Sequence, residues 1–592
     1  MSAPFMILTC LDHRRTYYSV LILFHSCLFC FFPFLVPLET YGQPLPPVIE
    51  PSGRSSEPPP VMKEEPLKPT PPPTQILPPL EELPGLEKGT IPPLRVFVKH
   101  IRVVGSTVFT SEALQKITAR YENRLISTAE LEELRQELTL LYVNNGYINS
   151  GAVIPDQTVE EGTVTIQIIE GRLSEIHVEG TKIFFPWYFE QRIRLAAQRP
   201  LNINPLRERL QLLLQDPRIQ RLNSELKPGL RPGESILRVR VQEASPYKLW
   251  VEFNNFQSPT VGAERGLATL QHQNVFGFGD QFRFTFGRSE GVNPLIDTAY
   301  TVPITPWDTT LTAQFRRNDF EVVSDPFKSL NIESETEIVT VTIRHPIYRT
   351  LTDEVGLAAT FERLRNQNFL GGTGFSFTPG TTNDGESIVS ALRLIQEWIH
   401  REPAHVLALR SRFTVGLDVL DATNARITRT DPDGQFFAWL GQAQWARRFD
   451  PSGMQLLSSL ALQLANDSLF PLEQFAVGGR YSVRGYRENQ LVRDNAFVFS
   501  VEARLPILPT IIGRNVLFFA PFIDVGRSWN ARIPVTTQET IASIGAGLRW
   551  SIRDRAQANV YWGHQLNHIP KPAGGNNLQD HGLHVQLVVN IL

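Results

Sequence analysis

Ser543-Ile544-Gly545-Ala546-Gly547-Leu548-Arg549-Trp550-Ser551-Ile552 is the stretch that decides the fold. Ile544, Ala546, Leu548, Trp550 and Ile552 alternate with Ser543, Gly545, Gly547, Arg549 and Ser551. A period of two belongs to a β-strand with one apolar and one wet face. The neighbouring segments repeat it. Downstream, Ala558, Val560 and Trp562 alternate with Gln557, Asn559 and Tyr561, and Val585, Leu587, Val589 and Ile591 are apolar around His584, Gln586 and Asn590. Upstream, Leu517, Phe519, Ile523 and Val525 share one face while Phe522 and Asp524 take the other. Before these, Phe497, Phe499, Val501 and Leu505 alternate with Ser500, Glu502 and Arg504. Consecutive alternating strands build a transmembrane β-barrel, with lipid outside and water within.

Residues 246–592, read from about Tyr247 at roughly twenty-one residues per strand and connection, give about 16 antiparallel strands, an even number as bacterial barrels have. With both chain ends on the inner side, the turn at Arg553-Asp554-Arg555 is internal and short. The longer connections near 465–495 and 563–580 are external. The first of these carries Val483-Arg484-Gly485-Tyr486, and the strand beyond it carries Phe522-Ile523-Asp524-Val525-Gly526. An unpaired charge in a lumen is costly. Arg484 meeting Asp524 would remove two such charges and hold a long loop inside the pore.

Composition narrows the function. Lys+Arg number 57 against Asp+Glu 60, a net charge of −3, which gives no basic footprint for a nucleic-acid partner. Mean hydropathy of −0.15 resembles a soluble protein, but a barrel produces the same value because half its strand residues face water. No nucleophile elbow or acid/base pair stands out, so an enzyme is not expected. Cys10, Cys27 and Cys30 are the only thiols. All three lie in a segment where Arg14 and Arg15 precede an apolar run ending near Leu38, which reads as a signal peptide over residues 1–42. Its removal leaves a mature chain without thiols, as suits an extracytoplasmic protein. Residues 43–93 hold 17 prolines and read as an extended linker.

Between linker and barrel, one small α/β order occurs twice. In residues 94–170, a strand over Val96–Val104 precedes a short helix over 110–120. Ser127-Thr128-Ala129-Glu130 then forms a capping box opening a helix to Asn144, with strands near 151–154 and 163–170. Residues 171–245 repeat β-α-α-β-β, with helices over Trp187–Ala197 and Asn204–Leu214. Such tandem units form an internal repeat.

A β-α-α-β-β pair ahead of a barrel resembles POTRA domains. From about residue 94 onward the chain looks like the two-partner secretion transporters, also called haemolysin secretion/activation proteins. Five motifs carry the resemblance in order. Asn274-Val275-Phe276-Gly277-Phe278-Gly279-Asp280 resembles the family's NxxGxGD signature. Tyr300-Thr301-Val302-Pro303 with Pro306-Trp307 resembles its strand-turn element, and Arg344-His345-Pro346-Ile347-Tyr348-Arg349 its RHPLYR segment. VRGY and FxDxG match. The resemblance implies an outer-membrane translocator, its POTRA-like domains in the periplasm, that exports one large β-helical partner protein without ATP, nucleotide or cofactor. It further implies that the POTRA-like domains capture the unfolded partner, by strand addition to an exposed sheet edge. Under it, Arg484 pairs with Asp524, and Gly485 and Tyr486 shape the loop tip. The chain departs from the pattern in ending at Leu592 rather than phenylalanine, and in having only the proline-interrupted Ile76–Lys88 where a plug helix would lie.

Other readings fit the residues less well. His564, His568, His581 and His584 flank one external loop, but no carboxylate or cysteine completes a metal site. Gly277 and Gly279 lack the third glycine of a nucleotide loop and read instead as relieving crowding inside the barrel. A passive porin needs no tandem capture modules. An outer-membrane barrel assembly factor (insertase) of the same superfamily is the alternative.

Overall fold

A computed structural model describes residues 95–424, 428, 430–449, 452–508, 515–552, 555–570 and 576–592. The expected signal peptide over residues 1–42 with its three cysteines, the expected linker over 43–93 and Ile76–Lys88 within it lie outside the described residues. No described helix is long and apolar enough to cross a membrane.

The first module packs two helices, Ser111–Thr118 and Thr128–Asn144, on a sheet ordered His100–Val104, Thr163–Ile169, Gly151–Val153. The first pair is parallel and the second antiparallel. Both halves of the capping box form, with Ser127 Oγ accepting from Glu130 N and Glu130 accepting from Ser127 N. Leu134, Leu138 and Tyr142 from that helix enter a core with Ile101, Val164 and Ile166. One strand expectation fails. Val96–Val104 divides into Arg95–Val98 and His100–Val104, because Lys99 N and His100 N both donate to Gly162 O and turn the chain. Arg95–Val98 then pairs antiparallel with Arg124–Ser127, a four-residue strand too short to show a period.

The second module sets helices Pro186–Arg194 and Ile203–Leu214 against a sheet ordered Arg172–Glu179, Glu234–Glu243, Ile219–Pro228. Its core joins Phe189, Ile193, Leu206 and Leu210 to Leu237 and Val239. The two modules interlock at short range. Ile203 N donates to Gly146 O, and Asn149 Nδ2 donates to Ser235 Oγ.

Tyr247–Asn254 begins a closed antiparallel barrel of sixteen wall strands, sealed where Leu583–Asn590 pairs back onto it. Wall strands run from 8 to 18 residues, against about 9–11 needed to cross a bilayer. Their outward face is apolar and exposed, as at Phe315, Val341, Ile523, Leu548, Trp550 and Trp562. Alternate residues point inward and are buried, among them Glu362, Arg393, Glu502, Asp524 and Tyr561. The expected alternation of the last five strands is therefore the alternation of lipid face and lumen. Among the described residues, connections at the rim facing the modules such as 350–352 and 402–404 are short, and the longest, 466–494, lies at the opposite rim.

Candidate functional site

The longest connection lying wholly within the described residues runs between wall strands Met454–Ala465 and Asn495–Leu508. Its limbs Phe475–Val477 and Leu491–Arg493 pair as a small antiparallel hairpin. Phe475, Val477, Val483, Tyr486 and Leu491 from this loop form an apolar cluster with Leu440, Ala496, Val498 and Ile541 of the wall. The loop is thus folded back into the barrel.

At its tip, Arg484 meets Asp524. Arg484 Nε donates to Asp524 Oδ2 and Nη2 to Oδ1, both at 2.8 Å, and Arg484 N adds a third bond of 3.0 Å. Strand register explains why the acceptor is ready. Asp524 lies opposite Ser500 on one neighbouring strand and Ser543 on the other, and Ser500 Oγ donates to Asp524 Oδ1 at 2.6 Å. A second carboxylate takes part that sequence reasoning missed. Arg484 Nη1 donates to Glu502 Oε2, and Glu502 also receives Arg504 Nε and the Tyr561 hydroxyl. The guanidinium lies 3.6 Å over the Phe522 ring, which supplies a π face where water is excluded. With Arg484 at 3 % and Asp524 at 0 % side-chain exposure, each charge depends on the other.

The glycines of both motifs are contact points. Gly485 has φ +92, and a Cβ there would stand 2.8 Å from the backbone of Gly563. A Cβ on Gly526 would stand 2.5 Å from Val477 and 2.8 Å from Val483, so FxDxG opens the space that Val483 fills. The Tyr486 hydroxyl faces Ala542 O at 2.9 Å and Asn567 O at 2.8 Å. Arg487 and Asp580 pair at 2.5 and 2.9 Å, joining the tip to the last external connection.

The base of the loop has its own ionic tether, also missed. Glu473 accepts two bonds from Arg393, at 2.6 and 3.1 Å, and Arg393 also donates to Glu362 at 2.7 Å. All three side chains are under 8 % exposed. The signal for this group was present: Glu362 and Arg393 are charges on inward positions of alternating strands. Their common partner in a distant loop was not legible.

The early-barrel motif lies elsewhere than expected. Gly277 and Gly279 do not relieve crowding inside the barrel. They form a turn at the module-facing rim, pressed against the second module. Phe185 N donates to Gly277 O at 3.1 Å, and Arg218 Nη1 donates to Gly279 O. A Cβ on Gly277 would meet Ile183 O at 2.7 Å, and one on Gly279 the Tyr188 ring at 2.6 Å. Asn274 Oδ1 accepts from Gly279 N, and Asp280 accepts from Phe276 N and the Tyr300 hydroxyl, which fixes the turn. The next turn contributes Asp308, which receives Arg192 of the second module at 2.9 Å and Arg349 of the RHPIYR segment at 3.1 Å. Burial opposes ionisation of nearby Asp216, but Arg218 outweighs it and holds the carboxyl below the usual range. Three motifs far apart in sequence thus make one docking surface.

The external histidines do not form a metal group among the described residues. His581 bonds Asn576, and buried His584 lies against Gly485 N.

Known proteins resemble this chain in sequence and fold. The profile of the haemolysin secretion/activation protein ShlB/FhaC/HecB family matches residues 233–550, and that of the ShlB-type POTRA domain matches residues 96–171. The outer membrane transporter CdiB of Dickeya dadantii is 23% identical over 464 residues, covering 76% of this chain and 79% of the relative. The heme/hemopexin transporter protein HuxB of Haemophilus influenzae (strain 86-028NP) is 21% identical over 478 residues, covering 76% and 80%. The structure of CdiB from Escherichia coli superposes with a TM-score of 0.65 at 20% identity, covering 90% of this chain and 95% of the other. The barrel therefore sits in the outer membrane with its module-facing rim and POTRA region in the periplasm. The chain belongs to the haemolysin secretion/activation family and exports a partner protein across the outer membrane.

Proposed function

We propose that residues 94–170 and 171–245 are two POTRA domains that capture one large, unfolded β-helical partner and pass it to the lumen without ATP. In this reading the VRGY loop is the element that shapes the conducting path. Val483, Arg484, Gly485 and Tyr486 seat the tip, and Phe522, Asp524 and Gly526 form its receptor. Asn274, Gly277, Gly279 and Asp280 hold the second module at the barrel mouth. The observation that carries the proposal is the buried Arg484, which satisfies Asp524 and Glu502 together from a loop that would otherwise lie outside. Such a group is stable in place but expensive to leave half-made, as suits a loop with a defined seat.

The test is secretion of a co-expressed candidate partner in a host lacking its own homologue. Partner outside the cell only when this chain is present supports the reading. Partner retained, with altered assembly of other outer-membrane barrels, would move the assignment to insertase.

A further inference from the structure

At the periplasmic rim, His400-Arg401-Glu402-Pro403-Ala404-His405 makes the turn between wall strands Glu386–Arg401 and His405–Leu417. Glu402 N donates to His405 O at 2.8 Å, which closes the hairpin. The turn is clamped from both sides: Arg401 N donates to Thr352 O, and Arg448 N to Ala404 O. The side chains of His400, Glu402 and His405 are consequently brought together. Their ligand atoms lie within 4.8 Å of one another, and they are the one such group among the described residues.

The hydrogen bonds orient this group. His400 Nδ1 lies 2.8 Å from Asp353 Oδ1, a carboxylate that also accepts from Trp398 Nε1 and Thr352 Oγ1. Asp353 stands directly opposite His400 in the strand register. An ionised carboxylate can only accept, so His400 donates its Nδ1–H to Asp353 and turns Nε2 towards Glu402. Nε2 lies 3.3 Å from Glu402 Oε1, and the other Glu402 oxygen lies 3.5 Å from His405 Nδ1. Two imidazole nitrogens thus converge on one carboxylate, a donor set that suits a transition cation. For zinc bonds of about 2.0–2.2 Å, neighbouring tetrahedral ligands stand roughly 3.3–3.5 Å apart. The two observed separations, each to a different oxygen of Glu402, are of that size. A histidine whose second nitrogen is held by a carboxylate is also the usual partner arrangement of a metal-bound imidazole.

We propose that His400 Nε2, Glu402 and His405 Nδ1 bind a divalent transition cation of the Zn2+ class at the periplasmic rim. Asp353 orients His400, and a fourth position is open to water. Glu402 and His405 are partly exposed, so their tips are free to tighten a group whose ligand atoms lie within 4.8 Å of one another. The bound ion would staple two wall strands beside the turn where Leu351 O receives Gln215 of the second module.

The test uses the full-length, untagged protein in detergent, stripped with chelator and titrated calorimetrically with Zn2+ alone. One equivalent is expected, with at least about a hundredfold weaker binding in His400→Ala/His405→Ala. Asp353→Asn should weaken binding about 10–100-fold, the range for an outer partner of a metal-bound histidine. No stoichiometric binding, or the same equivalent retained in the folded double variant, overturns the proposal. If the variants fail to fold, Co2+ bound to the unaltered chain decides. Intense tetrahedral visible absorption supports the site, and weak octahedral bands or none overturn it.

Discussion

Arg484 answers to two carboxylates, and this changes what a charge swap can achieve. Removing one partner of a buried pair costs about 3–5 kcal/mol. Arg484→Asp and Asp524→Arg are therefore each expected to lower export at least tenfold while the barrel still inserts, read by partner in the medium and heat-modifiable migration. The double swap restores the pair between the two positions but sets the new loop carboxylate against Glu502, so recovery is partial. Normal export in both single variants would remove the assigned role. Gly485→Ala probes the same seat without charge. The new Cβ would meet Gly563 backbone at 2.8 Å in a conformation that already disfavours side chains. A raised single-channel conductance from a displaced loop is expected, and unchanged conductance would count against the tight seat.

Among the elements, the folded-back loop is held at two distant points of the wall. Its tip is held by strands Asn495–Leu508 and Asn515–Trp529, and its base by Asp353–Leu370 and Glu386–Arg401 through Glu473. Glu473→Gln leaves Arg393 paired with Glu362 and bonded to Thr414, so it is expected to loosen the loop base less than Arg484→Asp loosens the tip. Hydrogen exchange over residues 466–478 measures this, and exchange equal to the unaltered protein would argue against the tether. The first module offers a pH test. Burial raises the Glu170 carboxyl, but bonds from Thr107 Oγ1, Thr107 N, Tyr142 and Val108 N outweigh it and hold it below the usual range. Its stabilising contribution is complete above the unfolded value of about 4.3 and is lost as pH falls through the lower folded value. Protection of Thr107–Phe109 should fall on acidification, and Glu170→Gln should remove most of that dependence.

Across the whole molecule, the barrel and the periplasmic modules meet through Asp308 and the glycine turn. Arg192 is 3 % exposed, so Asp308→Ala leaves a buried guanidinium without a carboxylate, held by the carbonyls of Tyr188 and Thr305 and the Tyr188 ring. A loss of about 3 kcal/mol at this contact is expected. The measurement is a disulfide cross-link between the second module and the 304–309 turn, whose yield should drop while the barrel remains heat-modifiable. Undiminished cross-linking would show that the remaining contacts, the glycine turn among them, hold the module without Asp308.

Much of this protein was legible as periodicity. Alternation of two revealed the last five wall strands, because lipid and water on opposite faces leave one pattern at every step. The capping box and leucine spacing revealed the helix Thr128–Asn144 for the same local reason. Arg484 and Asp524 were legible as charges that a lumen forces to pair. What depended on register and docking was not. The strand Arg124–Ser127 is defined only by its partner, Glu502 reaches Arg484 only through strand stagger, and Glu473 reaches Arg393 across 80 residues. Gly277 and Gly279 show the division most clearly. Sequence indicated that a neighbour comes close there, but only the tertiary structure decided that the glycines form a turn facing a module rather than relieving crowding in the lumen. A glycine records that something must come close, and the packed neighbour supplies what it is.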